Sequence, residues 1–592
     1  MRIIRTVLMI IGAVATLAAA GVVAAVVFFS MYKPPVPDKT VLTLDLDRNV
    51  VEYGSGKLTP WSAFGKAGPE LWEIVAAIER AAADERVVGL AARVGSSSMG
   101  LARIQELRDA IRTFRRSGKP AYAFAESFGE FGPGNGAFYL AAAFEKIYLL
   151  PSGDVGLTGL LAQSYFLKGA LDKLDVKYSL EQREEYKGIK EMFAEDGFTA
   201  AQRAALTRIL ESLTEQLTAG IAGGRGLSHA AVGDLMLRAP FSAQDALAAK
   251  LVDGLHYRDE VDDLIRERLG ADVAFLPLSR YRRRLEEKDG DATTVALIYG
   301  LGQVHRGRSR YRTLAGENSM GSDSVARAFR RAADDDDVRA IIFRVDSPGG
   351  SYVASDVIWR EVRQARKKGK PVIVSMGNVA GSGGYFVAAP ADRIVAQPAT
   401  LTGSIGVAAG KLVTRGLWDK LGVSWDQVAG NTNATFWSTL QDYDPDQRNR
   451  LGHLLDVAYD DFVSKVAQGR KLSREEVRAV AKGRVWTGAD AREKGLVDEL
   501  GGYAATLRAV REAAGLEPDA AIRLRLFPRR ESTLRLLVEE LTGYGNSEIE
   551  FPEPHLIRGI VERFGLLANR PRSRQFDGHR NVLEMPLPAR LR

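Results

Sequence analysis

The chain has 592 residues, 46% of them hydrophobic and 26% charged, a globular composition in a chain too long for one hydrophobic core. Its net charge of +7 is small for this length and is spread along the chain, so nucleic-acid binding has little support. The chain has no cysteine, which excludes disulfide bonds, thiolate catalysis and cysteine metal ligands.

An uncharged apolar run occupies residues 7–29. As a helix it would be about 35 Å long, against a hydrocarbon core of roughly 30 Å. The small residues at 18–20 would also suit a cleaved signal peptide. Because the run stays apolar beyond them, we predict an uncleaved transmembrane helix, with residues 1–39 forming the anchor and its linker. The flanking charges favour a cytoplasmic N-terminus only weakly.

Strands and helices are predicted to alternate after the anchor, and the same order occurs twice. Each series opens with a strand, continues with a helix and reaches a buried strand. The predicted ranges are 41–46, 74–83 and 87–94 in the first series, and 295–299, 325–333 and 340–345 in the second. This alternation predicts an α/β fold with largely parallel sheets.

The two series are copies of one domain. The sequence GSGGYFVAAP at residues 381–390 matches GNGAFYLAAA at residues 134–143, and residues 82–94 likewise match residues 333–345. A period of about 250 residues is the size of a domain, so we predict a tandem duplication rather than a solenoid. The predicted division is a first repeat at 40–279, a charged linker at 280–292, a second repeat at 293–527, and a C-terminal extension of unknown role at 528–592.

Ser382 is the candidate nucleophile. It stands between glycines after a predicted strand and before a predicted helix, where a strained turn can expose a serine. The amide of Gly383 could face a developing oxyanion. Alone, such a sequence is more often a flexible turn.

A second glycine-rich loop strengthens the hypothesis. DSPGGS at residues 346–351 follows a buried strand, and the amides of Gly349 and Gly350 could complete an oxyanion hole. The first repeat has lost both features: GSSSM at residues 95–99 replaces the loop, and Asn135 replaces the serine. Joint loss favours a joint function over two unrelated turns.

A serine nucleophile needs a base, and none of the six histidines lies in a recognisable motif. A lysine can serve if burial lowers its pKa. Lys187 is the candidate, because the second repeat has Ala434 near the corresponding position. Chemistry alone favours a solvated lysine in a charged stretch at Lys187, and Lys190 competes for the assignment.

Together these motifs resemble the signal peptide peptidase A (protease IV) family in its duplicated, membrane-anchored form, within the Clp protease/crotonase-like superfamily. The resemblance covers roughly residues 1–525 and is carried by DSPGG at 346–350, GSGGY at 381–385, LTGSIG at 401–406 and Tyr186-Lys187. It implies that Ser382 is the nucleophile, that Lys187 is the general base, and that Ser404 orients the lysine. It also implies that Gly383, Gly349 and Gly350 form the oxyanion hole.

The resemblance further implies a serine endopeptidase that needs no cofactor or metal and degrades cleaved signal peptides and other apolar peptides. It implies a homo-oligomer, a tetramer in the family, anchored in the bilayer through residues 7–29. The expected location is the bacterial inner membrane, single-pass, with the catalytic domains on the periplasmic side. Two alternatives remain open: a crotonase-like acyl-CoA enzyme, and a non-catalytic membrane scaffold.

Overall fold

The computed structural model describes residues 35–528, except 48–49, 55–68, 96–98, 285–291 and 312–317, together with Gly21 and two short strands at 583–584 and 590–591. Apart from Gly21, the predicted anchor at 7–29 lies outside the described residues. In the described ranges we found no helix with the length and apolar character needed to cross a bilayer.

The first repeat is built on a parallel sheet of six strands. Its strands are short apolar runs rich in Val, Leu and Ala, as expected for a sheet covered on both faces. In spatial order they are Ala274–Pro277, Thr40–Asp45, Val87–Arg93, Ala121–Ala125, Lys146–Leu149 and Gly254–Leu255. The predicted α/β class and the parallel pairing are confirmed.

The second repeat has the same strand order. The matching strands are Ile522–Phe527, Thr293–Leu301, Val338–Ser347, Val372–Gly381, Arg393–Ala396 and Glu499–Leu500. This sheet is extended where Leu401–Gly403 pairs in parallel with the end of Val372–Gly381 and in antiparallel with Val485–Thr487. The identical order of the six matching strands confirms the duplication.

Helices cover both faces of each sheet because their apolar positions recur at helical spacing. In Ser322–Asp334, for example, Val325, Phe329 and Ala332 are buried. The helices of the first repeat are Leu71–Ala83, Leu101–Arg116, Asn135–Ala141, Lys168–Leu174, Glu191–Ala194, Ala200–Arg225, His229–Arg238, Ala243–Ala248, Arg258–Leu269 and Leu278–Arg284. Those of the second repeat are Ser322–Asp334, Tyr352–Lys367, Gly383–Ala388, Arg415–Lys420, Pro445–Arg470, Arg474–Val480, Gly488–Glu493 and Tyr503–Ala514, with a 3-10 turn at Thr432–Thr435.

Strand pairing joins the two repeats directly. Lys177–Gln182 of the first repeat pairs in antiparallel with Ala408–Val413 of the second, in the register Gln182 to Ala408. The pairing continues as Arg183 N–H donates to the Val407 carbonyl at 2.9 Å. This ribbon leads the chain of the first repeat toward the Ser382 turn of the second.

Two short strands of the C-terminal region also pair with the repeats. Leu583–Glu584 runs antiparallel to Gly349–Gly350, and Arg590–Leu591 runs antiparallel to Ala162–Gln163. The remaining small strands are Asp154–Val155 with Phe241–Ser242, and Gln303–His305, Arg310–Tyr311 and Asn318–Gly321 in a sheet with Gly349–Gly350.

Candidate active site

Ser382 occupies a sharp turn between a strand and a helix. The strand Val372–Gly381 ends directly before it and the helix Gly383–Ala388 begins directly after it. Its backbone has φ 53° and ψ −116°, which is unfavourable for any residue with a Cβ. The turn is held because Ser382 N–H donates to the Gly403 carbonyl at 2.8 Å. The predicted strained turn is therefore present.

The loop that carries Lys187 is held by the second repeat. After the ribbon, Tyr186 N–H donates to the Lys482 carbonyl at 3.1 Å. Lys187 itself has no exposed surface, although it lies in a charged stretch of sequence. Because Lys187 is buried, it is not the solvated lysine that its local sequence also allowed.

Lys187, Ser382 and Ser404 meet at one point. The Lys187 Nζ lies 2.8 Å from the Ser382 Oγ, and donates to the Ser404 carbonyl at 3.2 Å and to the Ser404 Oγ at 3.3 Å. All three residues are fully buried. A serine, a lysine and a second hydroxyl that could orient the lysine thus lie within hydrogen-bond reach, which is the arrangement that nucleophilic catalysis would require.

Lys190, the competing lysine, is exposed and stands at the start of the short helix Glu191–Ala194. Its backbone N–H donates to Gln182 Oε1 at 3.2 Å. The structure thus places Lys187, three positions earlier, against the serine.

Two glycines that the sequence analysis missed make room for Lys187. A Cβ on Gly483 would lie 2.6 Å from the Lys187 backbone N, and Gly483 has φ 73°. A Cβ on Gly406 would lie 3.2 Å from the Lys187 Cδ. Gly406 lies in the motif at 401–406, but Gly483 stands in a segment without any motif, so only the packing reveals it.

The glycine loop of residues 347–350 packs against the start of the helix after Ser382. A Cβ on Gly383 would lie 3.1 Å from the Gly350 N and 3.2 Å from the Gly349 Cα. The Gly349 N–H donates to Ser347 Oγ at 3.2 Å. The three glycines predicted to form the oxyanion hole therefore lie together beside the Ser382 turn.

The corresponding turn of the first repeat is closed by its asparagine. The Asn135 side-chain amide donates to the Gly159 carbonyl at 2.7 Å, and the Asn135 Oδ1 accepts the Gly159 N–H at 3.0 Å. Asn135 therefore bridges its own turn, whereas Ser382 faces a lysine from the other repeat.

Comparison with known proteins identifies the family. The profile of Peptidase family S49 matches residues 113–272 and 364–517, one stretch in each repeat. The chain belongs to Peptidase family S49. It is 32% identical to "Protease 4" of Salmonella typhi over 80% of this chain and 76% of that protein. It is also 34% identical to "Putative signal peptide peptidase SppA" of Enterococcus faecium over 29% of this chain and 50% of that protein.

Among solved structures, a ClpP1 variant from Listeria monocytogenes matches 35% of this chain and 90% of its own chain, at 13% identity and a TM-score of 0.22.

This S49 protein is a serine peptidase, as the family and its relatives show. The predicted family is confirmed, and the acyl-CoA and scaffold alternatives are set aside.

Proposed function

We propose that this S49 peptidase is a membrane-anchored endopeptidase that degrades released signal peptides and other apolar peptides with a Ser382/Lys187 dyad. The observation that carries the proposal is the 2.8 Å separation of the Lys187 Nζ and the Ser382 Oγ inside a fully buried site.

In the proposed mechanism, neutral Lys187 takes the proton of the Ser382 hydroxyl as its oxygen attacks the peptide carbonyl. The lysine then gives that proton to the leaving amine, which breaks the C–N bond and leaves an ester on Ser382. Water, deprotonated by Lys187, hydrolyses the ester. Burial supports this role because desolvation disfavours the ammonium form, and the two Ser404 oxygens supply acceptors that orient the Nζ.

The tetrahedral intermediate would be stabilised by backbone amides of Gly383 and of the 347–350 loop. Gly350 is better placed than Gly349, because the Gly349 N–H already donates to Ser347 Oγ. Removal of one such donor typically lowers kcat by about 10²–10³.

A peptide substrate would bind as an extended strand along the same loop. Gly349–Gly350 pairs with Gln303–His305 on one side and with Leu583–Glu584 of the C-terminal region on the other. Its backbone geometry therefore suits strand pairing, and a substrate would take the place that Leu583–Glu584 holds in the structure. Main-chain pairing of this kind binds peptides with little dependence on their side chains.

A fluorophosphonate probe tests the dyad. Full-length protein in detergent should be labelled at Ser382, and Lys187→Ala should lose both labelling and hydrolysis of a signal-peptide fragment. Lys190→Ala is the matched control, since it removes an exposed lysine three positions away, and it should behave as the unmodified protein. Labelling that survives in Lys187→Ala would refute the dyad.

We further propose that residues 7–29 form a single-pass anchor in the bacterial inner membrane with both repeats in the periplasm. The length and apolarity of this run support the anchor. A reporter enzyme that is active only outside the cytoplasm, fused after residue 39, should be active. An inactive reporter would reverse the orientation.

We also propose that the protein forms a homo-oligomer, which by resemblance to the family would be a tetramer. Several large apolar side chains of the segment 421–437 are exposed, which is typical of a contact surface. They are Leu421, Val423, Trp425, Val428 and Trp437. Light scattering in detergent should give a multiple of the 64.5 kDa chain mass, and Val428→Glu should shift it toward the monomer.

A further inference from the structure

A series of ion pairs between glutamates, arginines and an aspartate joins the two repeats just before the glycine loop. Glu106 and Glu52 of the first repeat both bind Arg344 of the second. The Arg344 Nη2 lies 2.8 Å from the Glu106 Oε2 and 2.9 Å from the Glu52 Oε1. Glu52 also binds Arg103 at 3.0 Å, and Arg103 binds Asp346 at 2.6 Å. Burial raises the pKa of Glu52, but the charges of Arg344 and Arg103 outweigh it and the pKa is lowered.

Arg103 is held where the first repeat touches the second. It lies in the first turn of the helix Leu101–Arg116, and its backbone N–H donates to Asn378 Oδ1 at 3.2 Å. A Cβ on Gly100 would lie only 2.4 Å from the Asn378 side chain, so the helix start is tight against the second repeat. The Arg103 guanidinium therefore approaches Asp346 from a fixed backbone.

Asp346 fixes the point where its strand turns into the glycine loop. Its Oδ1 accepts the Val379 N–H at 3.0 Å, and its carbonyl accepts the Gly302 N–H at 2.8 Å. Between Val345 and Ser347 the pairing partner advances from Met376 to Ala380, so the neighbouring strand bulges opposite Asp346, and Val379 lies in that bulge. Bulges beside active sites re-aim the residues that follow them.

We propose that Arg103 is a positioning residue for catalysis. Arg103 holds Asp346 Oδ2, while Asp346 Oδ1 holds Val379 in the bulge of the neighbouring strand. Arg103 thereby fixes where the 347–350 loop begins, directly after Asp346, and aims that loop at the substrate carbonyl. The first repeat, which supplies Lys187, would then also control the oxyanion loop of the second. This inference rests on the proposed dyad and oxyanion hole.

An ion pair that only holds the two repeats together should affect stability and not kcat. Arg208 and Asp490 provide the control, because they also join the two repeats, at 2.7 Å, with one partner buried. Neither lies on the strand that leads into the glycine loop. Arg208→Gln therefore removes an ion pair between the repeats without touching the bulge.

The experiment measures kcat, KM and inhibition by a peptide aldehyde on full-length protein in detergent. An aldehyde forms a hemiacetal with the serine, so its affinity reports the oxyanion loop as well as peptide binding. For Arg103→Gln we expect kcat to fall by about 10–100-fold, with KM within about twofold, because small misplacements of a catalytic group cost up to about 100-fold. Aldehyde affinity should fall by the same factor as kcat.

Three further variants test the same role. Asp346→Asn retains an oxygen for the Val379 N–H, and its kcat should fall by a similar factor. The double variant with Arg103→Gln should have a kcat no lower than that of the less active single variant. Arg103→Lys should recover part of the kcat, since lysine keeps the charge but not the planar fork.

Equal kcat in Arg103→Gln and Arg208→Gln would overturn the positioning role, as would a fall in melting temperature with unchanged aldehyde affinity. The proposed function fails in a distinguishable way: unmodified protein would then show no fluorophosphonate label on Ser382.

Discussion

The strained backbone at Ser382 predicts that the active-site turn reduces stability. With φ 53° and ψ −116°, Ser382 lies outside even the left-handed helical region, so its strain is at the upper end of the usual range, about 3 kcal/mol. Ser382→Gly removes this strain, whereas Ser382→Ala keeps it. Both variants lose the hydroxyl that contacts Lys187, so that loss cancels between them.

Two smaller effects oppose the gain. Glycine costs about 0.5–1 kcal/mol in backbone entropy, and loss of the buried Cβ costs roughly 0.8 kcal/mol. Ser382→Gly should therefore be about 1–2 kcal/mol more stable than Ser382→Ala, and each kcal/mol raises the melting temperature by about 2–4 °C. Both variants should be inactive, so peptide hydrolysis and thermal unfolding are measured on the same samples.

Ser375 is the matched control. It is a fully buried serine on the same strand, and its φ is negative. Without strain to relieve, Ser375→Gly should be less stable than Ser375→Ala, so the sign of the difference reverses. The strain argument is refuted if Ser382→Gly is no more stable than Ser382→Ala.

Four other predictions concern the dyad and the contact between the repeats. Hydrolysis should be lost in Ser382→Ala and in Lys187→Ala, and the double variant should be no worse than either, because a nucleophile and its base act as a unit. Hydrolysis should rise with pH as the base loses its proton, and Lys187→Arg should be inactive at every pH tested, since arginine stays charged. Gly483→Ala should lower kcat while the fold persists, because the new Cβ would lie 2.6 Å from the Lys187 backbone. Arg344→Met should destabilise by about 3–5 kcal/mol in denaturant unfolding, since it leaves two buried glutamates without their shared cation. Full activity in Lys187→Ala, or an unchanged unfolding midpoint in Arg344→Met, would contradict these assignments.

Local pattern was enough to predict the α/β class, the duplication and the turn at Ser382. Strand and helix periodicity depends on which residues face a core, and glycines around a serine record a backbone requirement at that position. The loss of the serine and the glycine loop in the first repeat, and of the lysine in the second, also marked these residues as candidates. These are properties of short stretches of chain, so the sequence alone contains them.

Which residues of the two repeats contact each other was decided only by the tertiary structure. Lys187 and Lys190 have the same chemistry and nearly the same neighbours, yet only Lys187 lies against a serine 195 positions away. That difference arises from the ribbon of Lys177–Gln182 and Ala408–Val413, and from the space left by Gly483. Contacts between segments far apart in sequence depend on how two sheets pack, which no local periodicity records.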